Sequence, residues 1–320
     1  MPDALPTRDG FGKELLELGK TNPKIVVVSA DLEDSTRAKW FSEAYPDRAY
    51  TVGIAEQDMV GTAAGLAHSG YIAFVNSFAV FGTNRAYDQI RMDVCYNNMN
   101  VKVICSHAGL TVGPDGASAQ CLEDLALMRV LPNMTVVYPA DFLEARKATR
   151  AFAENPGPMY MRTTRGNVPA ITKDSDPFTI GKANVMRNGK DVTIIACGIM
   201  VSEALNAANI LAKDGIDAKV VNMHTIKPID RKAIIDSAKQ TGAIVTAEEH
   251  QINGGLGSAV AEVVVQECPV PIEMVAVKDS FGESGTPDEL MKAYHLKDVD
   301  IVAAVKKVIK KKSSTVSAGR

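Results

Sequence analysis

The sequence predicts an α/β protein made of two doubly wound domains. Three observations carry this expectation. Short, almost continuous apolar runs end in polar turns, as parallel strands covered on both faces do. Segments with apolar residues at helical spacing lie between those runs. The alternation breaks once, near residue 170, and then resumes, which separates two units.

Taken in order, Phe11 to Leu18 has the spacing of a helix, and K-I-V-V-V-S-A-D (Lys24 to Asp31) reads as a buried strand. The strand pattern recurs at Tyr71 to Phe78, Val101 to Ala108 and Thr135 to Asp141. In open α/β sheets ligands collect at the carboxyl ends of strands, and Asp31, Ser35, Phe78, His107 and Asp115 fall there. Pro156 to Pro169 holds a last short strand, which closes a first domain at residues 1–169. Residues 170–185, with Lys173, Asp174, Ser175, Asp176 and Pro177, read as a linker. The second domain, 186–320, offers strands at Val192 to Ala196, Ala218 to Met223, Ala243 to Ala247 and Ile272 to Val277. Its clearest helices are Ser202 to Lys213 and Gly255 to Val265. The glycines of I-N-G-G-L-G, which opens the latter helix, suit close strand-to-helix packing better than an anion cradle, because no complete G-x-G-x-x-G is present.

Composition narrows the function classes. The 320 residues are 46% hydrophobic and 23% charged, the make-up of a soluble globular enzyme. A net charge of −3 gives no reason to expect nucleic acid or a membrane surface as partner. The five cysteines are odd in number and lack C-x-x-C spacing, which favours reduced core thiols and a cytoplasmic setting. The first ten residues carry no basic-then-apolar signal, and no apolar run reaches membrane-spanning length. The basic run from Lys306 to Arg320 reads as a solvated, fraying tail.

The most informative stretch runs from Val52 to Phe81. It places a carboxylate, Glu56, ahead of a small-residue helix containing Gly61, Ala63, Ala64 and Gly65. Such a carboxylate either complements a helix N-terminus or is buried at an interface, where its affinity for a proton rises. Phe78 and Phe81 arrive at the end of the following strand. Aromatic pairs usually build core, but beside a protonatable carboxylate they can hold a flat, nitrogen-containing heterocycle.

G-I-A-E-Q-D-M, S-F-x-x-F and R-A-Y-D-Q-I-R together resemble the pyrimidine-binding domain of transketolases. H-T-I-K-P-I-D, A-E-E-H-Q-I-N-G-G-L-G and F-G-E-S-G-T-P-D-E-L extend the likeness to the C-terminal domain of that family and of 1-deoxyxylulose-5-phosphate synthases. The resemblance implies thiamine diphosphate as cofactor. Glu56 would hydrogen-bond its aminopyrimidine and favour the imino tautomer that removes the thiazolium C2 proton. It also implies that Phe78, Phe81, Ile54 and Arg85 line the pyrimidine pocket and that Asp31 sits near the thiazolium end, at a subunit interface.

The family's G-D-G element and later asparagine, which hold the diphosphate through a metal, have no convincing match. P-D-G at Pro114 to Gly116 lacks the first glycine, and a hard cation bridging phosphates needs a fixed set of oxygen ligands. The expectation is therefore a split enzyme. This chain, beginning at Met1 with the pyrimidine domain, would be the C-terminal subunit, with no metal site of its own. An N-terminal partner subunit would carry the diphosphate and Mg²⁺ or Ca²⁺ in an α₂β₂ heterotetramer.

T-R-D-G, S-A-D-L-E-D-S, S-H-A-G-L-T-V-G-P-D-G and R-G-N-V-P resemble four transketolase substrate segments. Carried over, Arg8, Ser35, His107 and Arg165 would bind the phosphate at the far end of a sugar, and Asp115 a hydroxyl near the reacting carbon. Two guanidiniums suit an anionic end group. Arg162 rivals Arg165, and the spacing to Pro169 favours Arg165. Individually each has an ordinary structural explanation; their joint arrival at strand ends makes the site. Ala119 stands where the family usually carries a histidine, which implies either a compensated site or a changed substrate. Three rival readings share parts of these motifs: a 1-deoxyxylulose-5-phosphate synthase-like enzyme, the β chain of a 2-oxoacid dehydrogenase, and a non-catalytic paralogue.

Overall fold

The computed structural model describes residues 4–318. Strands β1 (Ile25–Ser29), β2 (Ala49–Thr51), β3 (Ile72–Phe78), β4 (Val101–Ser106), β5 (Thr135–Val137) and β6 (Met159–Arg162) form the first sheet, joined by β10 (Thr225–Lys227). Its order is β10-β5-β6-β4-β3-β1-β2, parallel except at β10. The second sheet, β12-β11-β8-β9-β7, uses β7 (Asn184–Arg187), β8 (Val192–Ala196), β9 (Ala218–Asn222), β11 (Ile244–Gln251) and β12 (Ile272–Val277), with β7 antiparallel. The two doubly wound α/β domains expected from the sequence are therefore present. Each expected strand has a counterpart; β1, β4 and β5 stop short at the polar end because their last residues turn into loops, while β11 runs on to Gln251.

The exchange of β10 was not legible. T-I-K is three residues long and has no pattern of its own; its partner is β5 of the other domain. One apolar cluster accordingly runs across both halves, joining Val103 and Tyr138 to Ile195, Val221 and Ile226. Residues 170–183 carry no helix or strand. They are nevertheless pinned: Asp141, the cap of the Phe142–Glu154 helix, accepts the Glu144, Ile171 and Thr172 amides at 2.9, 2.8 and 2.6 Å.

Two readings need correction. The basic C-terminal run is not a loose tail along its described length, because Asp298–Ala318 is one helix. Lys307 pairs with Glu273 at 2.8 Å, and Lys312 Nζ donates to the Thr241 carbonyl at 2.7 Å. Residues 319–320 lie outside the described residues. The I-N-G-G-L-G glycines, moreover, serve both purposes at once. The Leu256 and Gly257 amides at the start of the Leu256–Glu267 helix donate to Glu248 at 2.7 and 2.8 Å. A Cβ on Gly255 would collide with that carboxylate. The anion cradled at the helix N-terminus is the protein's own.

Candidate active site

Glu56 is the first residue of the Glu56–His68 helix, where free amides favour a carboxylate. It is 3% exposed. Arg85 Nη1 donates to its two oxygens at 3.1 and 3.2 Å. The same guanidinium lies 4.3 Å over the Phe81 ring. Phe81 stacks on Phe78 at 5.9 Å, and Phe78 stacks on His107 at 3.8 Å. One pile thus runs from His107 through both phenylalanines to Arg85. Phe78 presents one side to His107, so Phe81 carries the stacking contact nearest Glu56. Ile54, 75% exposed, stands just ahead of the helix.

Arg85 supplies a direct test of what the pocket holds. A guanidinium is flat, bears N–H donors and stacks on aromatic faces. It finds here a buried acceptor and a ring face together. An aminopyrimidine offers the same flat face and an amino donor, so these residues fit that part of thiamine diphosphate. Among the described residues no group of three His, Cys, Asp or Glu side chains is placed to hold a metal ion.

A second cluster gathers at neighbouring strand ends. Arg8, in the Thr7–Thr21 helix, donates from Nη1 to the Ser35 carbonyl at 2.7 Å, while its Nε is buried without a hydrogen-bond partner. Arg165, 41% exposed, donates to Asp115 Oδ1 at 2.9 Å and to the Val112 carbonyl at 3.2 Å. Arg37 joins them. It closes the short Glu33–Thr36 helix in the left-handed region (φ 70°) and donates from Nε to Asp9 at 2.8 Å. The sequence reading missed Arg37 and Asp9. The available signal was position: Arg37 lies two residues beyond Ser35, but a left-handed helix end leaves no periodicity to read.

His107 (φ 57°) faces these cations from the end of β4. Burial, then Arg8, Arg165 and Arg37, push its pKa down to about 3. It is therefore a neutral imidazole, with Nδ1 2.6 Å from Ser106 Oγ. Arg8 is itself pushed down by burial and then by Arg37, with Asp9 pulling the other way ahead of a further push from Arg165. Three guanidiniums thus share the cluster with two carboxylates, Asp9 and Asp115, and the Arg8 Nε is left without a hydrogen bond.

The other expected residues fall as follows. Ser35, Asp115 and Arg165 sit in this cluster. Asp31 is exposed with φ 62° and lines an open cleft with Glu33, Asp34, Lys39 and Thr51. Arg162, the rival of Arg165, is fully buried and donates to Asp124 at 3.1 Å and to the Glu249 carbonyl at 2.7 Å. It belongs to the domain junction. Beside Ala119, buried Gln120 donates to the Gly113 and Glu283 carbonyls at 3.1 and 2.9 Å, tying the substrate-segment loop to the second domain.

The model of the transketolase pyrimidine-binding domain matches residues 3–170, and that of the transketolase C-terminal domain matches residues 181–301. The chain belongs to the transketolase family. It is 44% identical over 306 residues to a 6-deoxy-6-sulfo-D-fructose transketolase subunit of Clostridium sp. strain MSTE9, covering 96% of this chain and 95% of that protein. It is 38% identical over 305 residues to an apulose-4-phosphate transketolase subunit of Phocaeicola vulgatus, covering 95% and 97% of the two. The structure also matches a split-gene transketolase described as an inactive β4 tetramer. The TM-score is 0.90 at 48% identity, over 97% of this chain and 100% of that one.

Proposed function

We propose that this chain is the C-terminal subunit of a two-chain transketolase. It transfers a two-carbon ketol unit between sugars that end in an anion, and it acts only with an N-terminal partner subunit. The observation that carries the reading is Glu56, buried at a helix start and bonded to a flat nitrogen-bearing group over Phe81. Its neighbourhood adds three arginines, from the first turn of the Thr7–Thr21 helix, the end of the Glu33–Thr36 helix and the segment after β6, with a neutral histidine just past β4.

Thiamine diphosphate, when bound, supplies the electron sink for breaking a carbon–carbon bond beside a ketone. Glu56 would share a proton with the pyrimidine ring nitrogen, donating when it carries that proton and accepting once the ring does, and so would set the tautomer. Phe81, backed by Phe78, holds the ring plane, and Ile54 and Arg85 border it. Arg85 gives up its place on Glu56 when the ring enters. Asp31 faces the partner near the thiazolium end. Arg8, Arg37 and Arg165 grip the anionic end of the sugar with Ser35, and neutral His107 offers an N–H there without adding charge. Asp115, released from Arg165, takes a sugar hydroxyl.

The partner subunit carries the diphosphate and its Mg²⁺ or Ca²⁺, and the assembly is α₂β₂. The relatives named as subunits support that division. Their names cite a sulfosugar and a sugar phosphate, and three cations suit either end group. A 2-oxoacid dehydrogenase β chain leaves this clamp without a task.

Calorimetry tests the division. The chain alone should bind thiamine diphosphate and Mg²⁺ weakly, and the reconstituted pair tightly. Micromolar binding by the chain alone would overturn it. Ketol transfer from a panel of sugar phosphates and sulfosugars to aldehydes should appear only in the pair.

A further inference from the structure

We infer that Glu249, in the second domain, is a positioning residue for the loop between His107 and Asp115, and that its hold sets affinity for the anionic end of the substrate. This rests on the ketol-transfer reading for the identity of the substrate, though not for the hold itself.

The second domain reaches the loop through β11. The sequence pattern predicts that this strand ends at Ala247, but it continues through Glu248, Glu249 and His250, all buried. The Glu249 carboxylate accepts the Thr111 amide on Oε1 at 2.6 Å and the Tyr138 hydroxyl on Oε2 at 3.2 Å. Arg162 Nη2 is 3.6 Å from Oε2 and anchors Glu249 further by donating to its carbonyl. Arg162 is held in turn by Asp124, which also accepts the Tyr160 hydroxyl at 2.6 Å. The loop is shaped to receive the carboxylate. Gly109 is left-handed (φ 85°), and a Cβ there would collide with Glu249.

From Thr111 the connection to the clamp is short. The next residue, Val112, gives its carbonyl to Arg165, and Asp115 at the loop's end takes the same guanidinium. His107 is two residues before Gly109. Displacing Thr111 therefore disturbs His107, Asp115 and the seat of Arg165 together. Ser284 and Gln120 also brace this loop, through the Pro114 and Gly113 carbonyls. The bond from the Thr111 amide to Glu249, at 2.6 Å, is shorter than either of those, and although burial pushes the Glu249 carboxyl up, Arg162 and the Thr111 amide pull it back down. A buried ion pair is a poor way to gain stability, since apolar packing of the same volume does as well or better. Fixing one loop geometry is what this arrangement does that apolar packing does not.

The experiment uses Glu249→Gln, which keeps shape and loses charge, in the chain reconstituted with its N-terminal partner. Two readouts are taken. Hydrogen exchange at the Thr111 amide reports the hold directly, and should quicken by about tenfold or more. Steady-state kinetics should show KM for anion-ended sugars raised about tenfold with kcat nearly unchanged, and KM for glycolaldehyde unaltered. Gly109→Ala, which pushes on the carboxylate from the loop side, should reproduce both changes should Glu249→Gln fail to assemble. Thr111 exchange at the wild-type rate in a folded variant overturns the inference. So does a KM that rises equally for charged and neutral substrates. Faster exchange in a complex that transfers no ketol unit at all upholds the hold and rejects the ketol-transfer reading.

Discussion

The two domains share an architecture but treat their strand-end polar residues in opposite ways. In the second, Glu248, Glu249 and His250 are buried and closely partnered by helix amides, a loop amide, a tyrosine and an arginine. In the first, Arg8, Arg37 and Arg165 remain partly open, and their carboxylate partners Asp9 and Asp115 are themselves only partly buried. A polar cluster that satisfies itself is framework. One whose cations stay open to solvent keeps charged donors within reach of an incoming anion. The family resemblance pointed to both sets of motifs alike; only partner accounting separates them.

The sharpest way to break this comparison is Glu56→Gln. Glu56 belongs to the open half, although it is buried, because its partner is a half-exposed arginine that can swing away. In the reconstituted complex the substitution should leave the fold and assembly intact. Exchange of the cofactor's C2 proton should slow by about 10²–10⁴-fold, the span a positioned proton-transfer group supplies. Exchange within tenfold of wild type would make Glu56 one more piece of framework.

Next in size is the anion clamp. Arg8→Ala or Arg165→Ala removes a charged hydrogen-bond partner, worth about 1.5–3 kcal/mol. kcat/KM for phosphorylated or sulfonated sugars should fall accordingly, while glycolaldehyde should hardly notice. Arg162→Ala should behave differently. It strips Asp124 and Glu249 of a buried cation, so it should lower stability and assembly without regard to substrate. Matching phenotypes for Arg162 and Arg165 would erase the distinction between the halves.

In the second domain, Gly255→Ala forces a methyl group into the Glu248 carboxylate. Overpacking of this kind costs about 1–3 kcal/mol. The free energy of unfolding extrapolated from urea titration should fall by that amount, and KM for every substrate should stay put.

Much of this was legible in advance. The strand runs, the break near residue 170, Glu56 with Phe81, and the gathering of Arg8, Ser35, His107, Asp115 and Arg165 at one end of the sheet all follow from motif and pattern. The rest depends on partners remote in sequence. E-E-H continues a strand only because the other domain satisfies it, which no local pattern records. β10 pairs across domains through three residues. Arg37 enters the clamp through a left-handed turn. Arg85 was read as a border of the pyrimidine pocket, and its own contact with Glu56 was not foreseen.

The last comparison sets side by side two histidines, one in each half. His107 is depressed to about 3 by burial and by Arg8, Arg165 and Arg37, and His224 to about 4 by burial alone, with Asp230 pulling the other way. Both fall from an ordinary 6.5. Below that value the unfolded chain takes up protons that the folded chain refuses, so stability should decline as pH drops from about 6.5 towards 4. His107→Gln and His224→Gln should each flatten part of that decline in urea midpoints measured at successive pH values. Sulfate separates the two. An anion seated among the arginines cancels part of their repulsion, lets His107 accept a proton more readily, and so softens the decline in wild type and in His224→Gln. In His107→Gln the remaining decline belongs to a histidine that faces no cation cluster, and sulfate should leave it unchanged. An equal sulfate effect in both variants would mean that the anion acts on the whole surface, and that the three arginines are not a receptor.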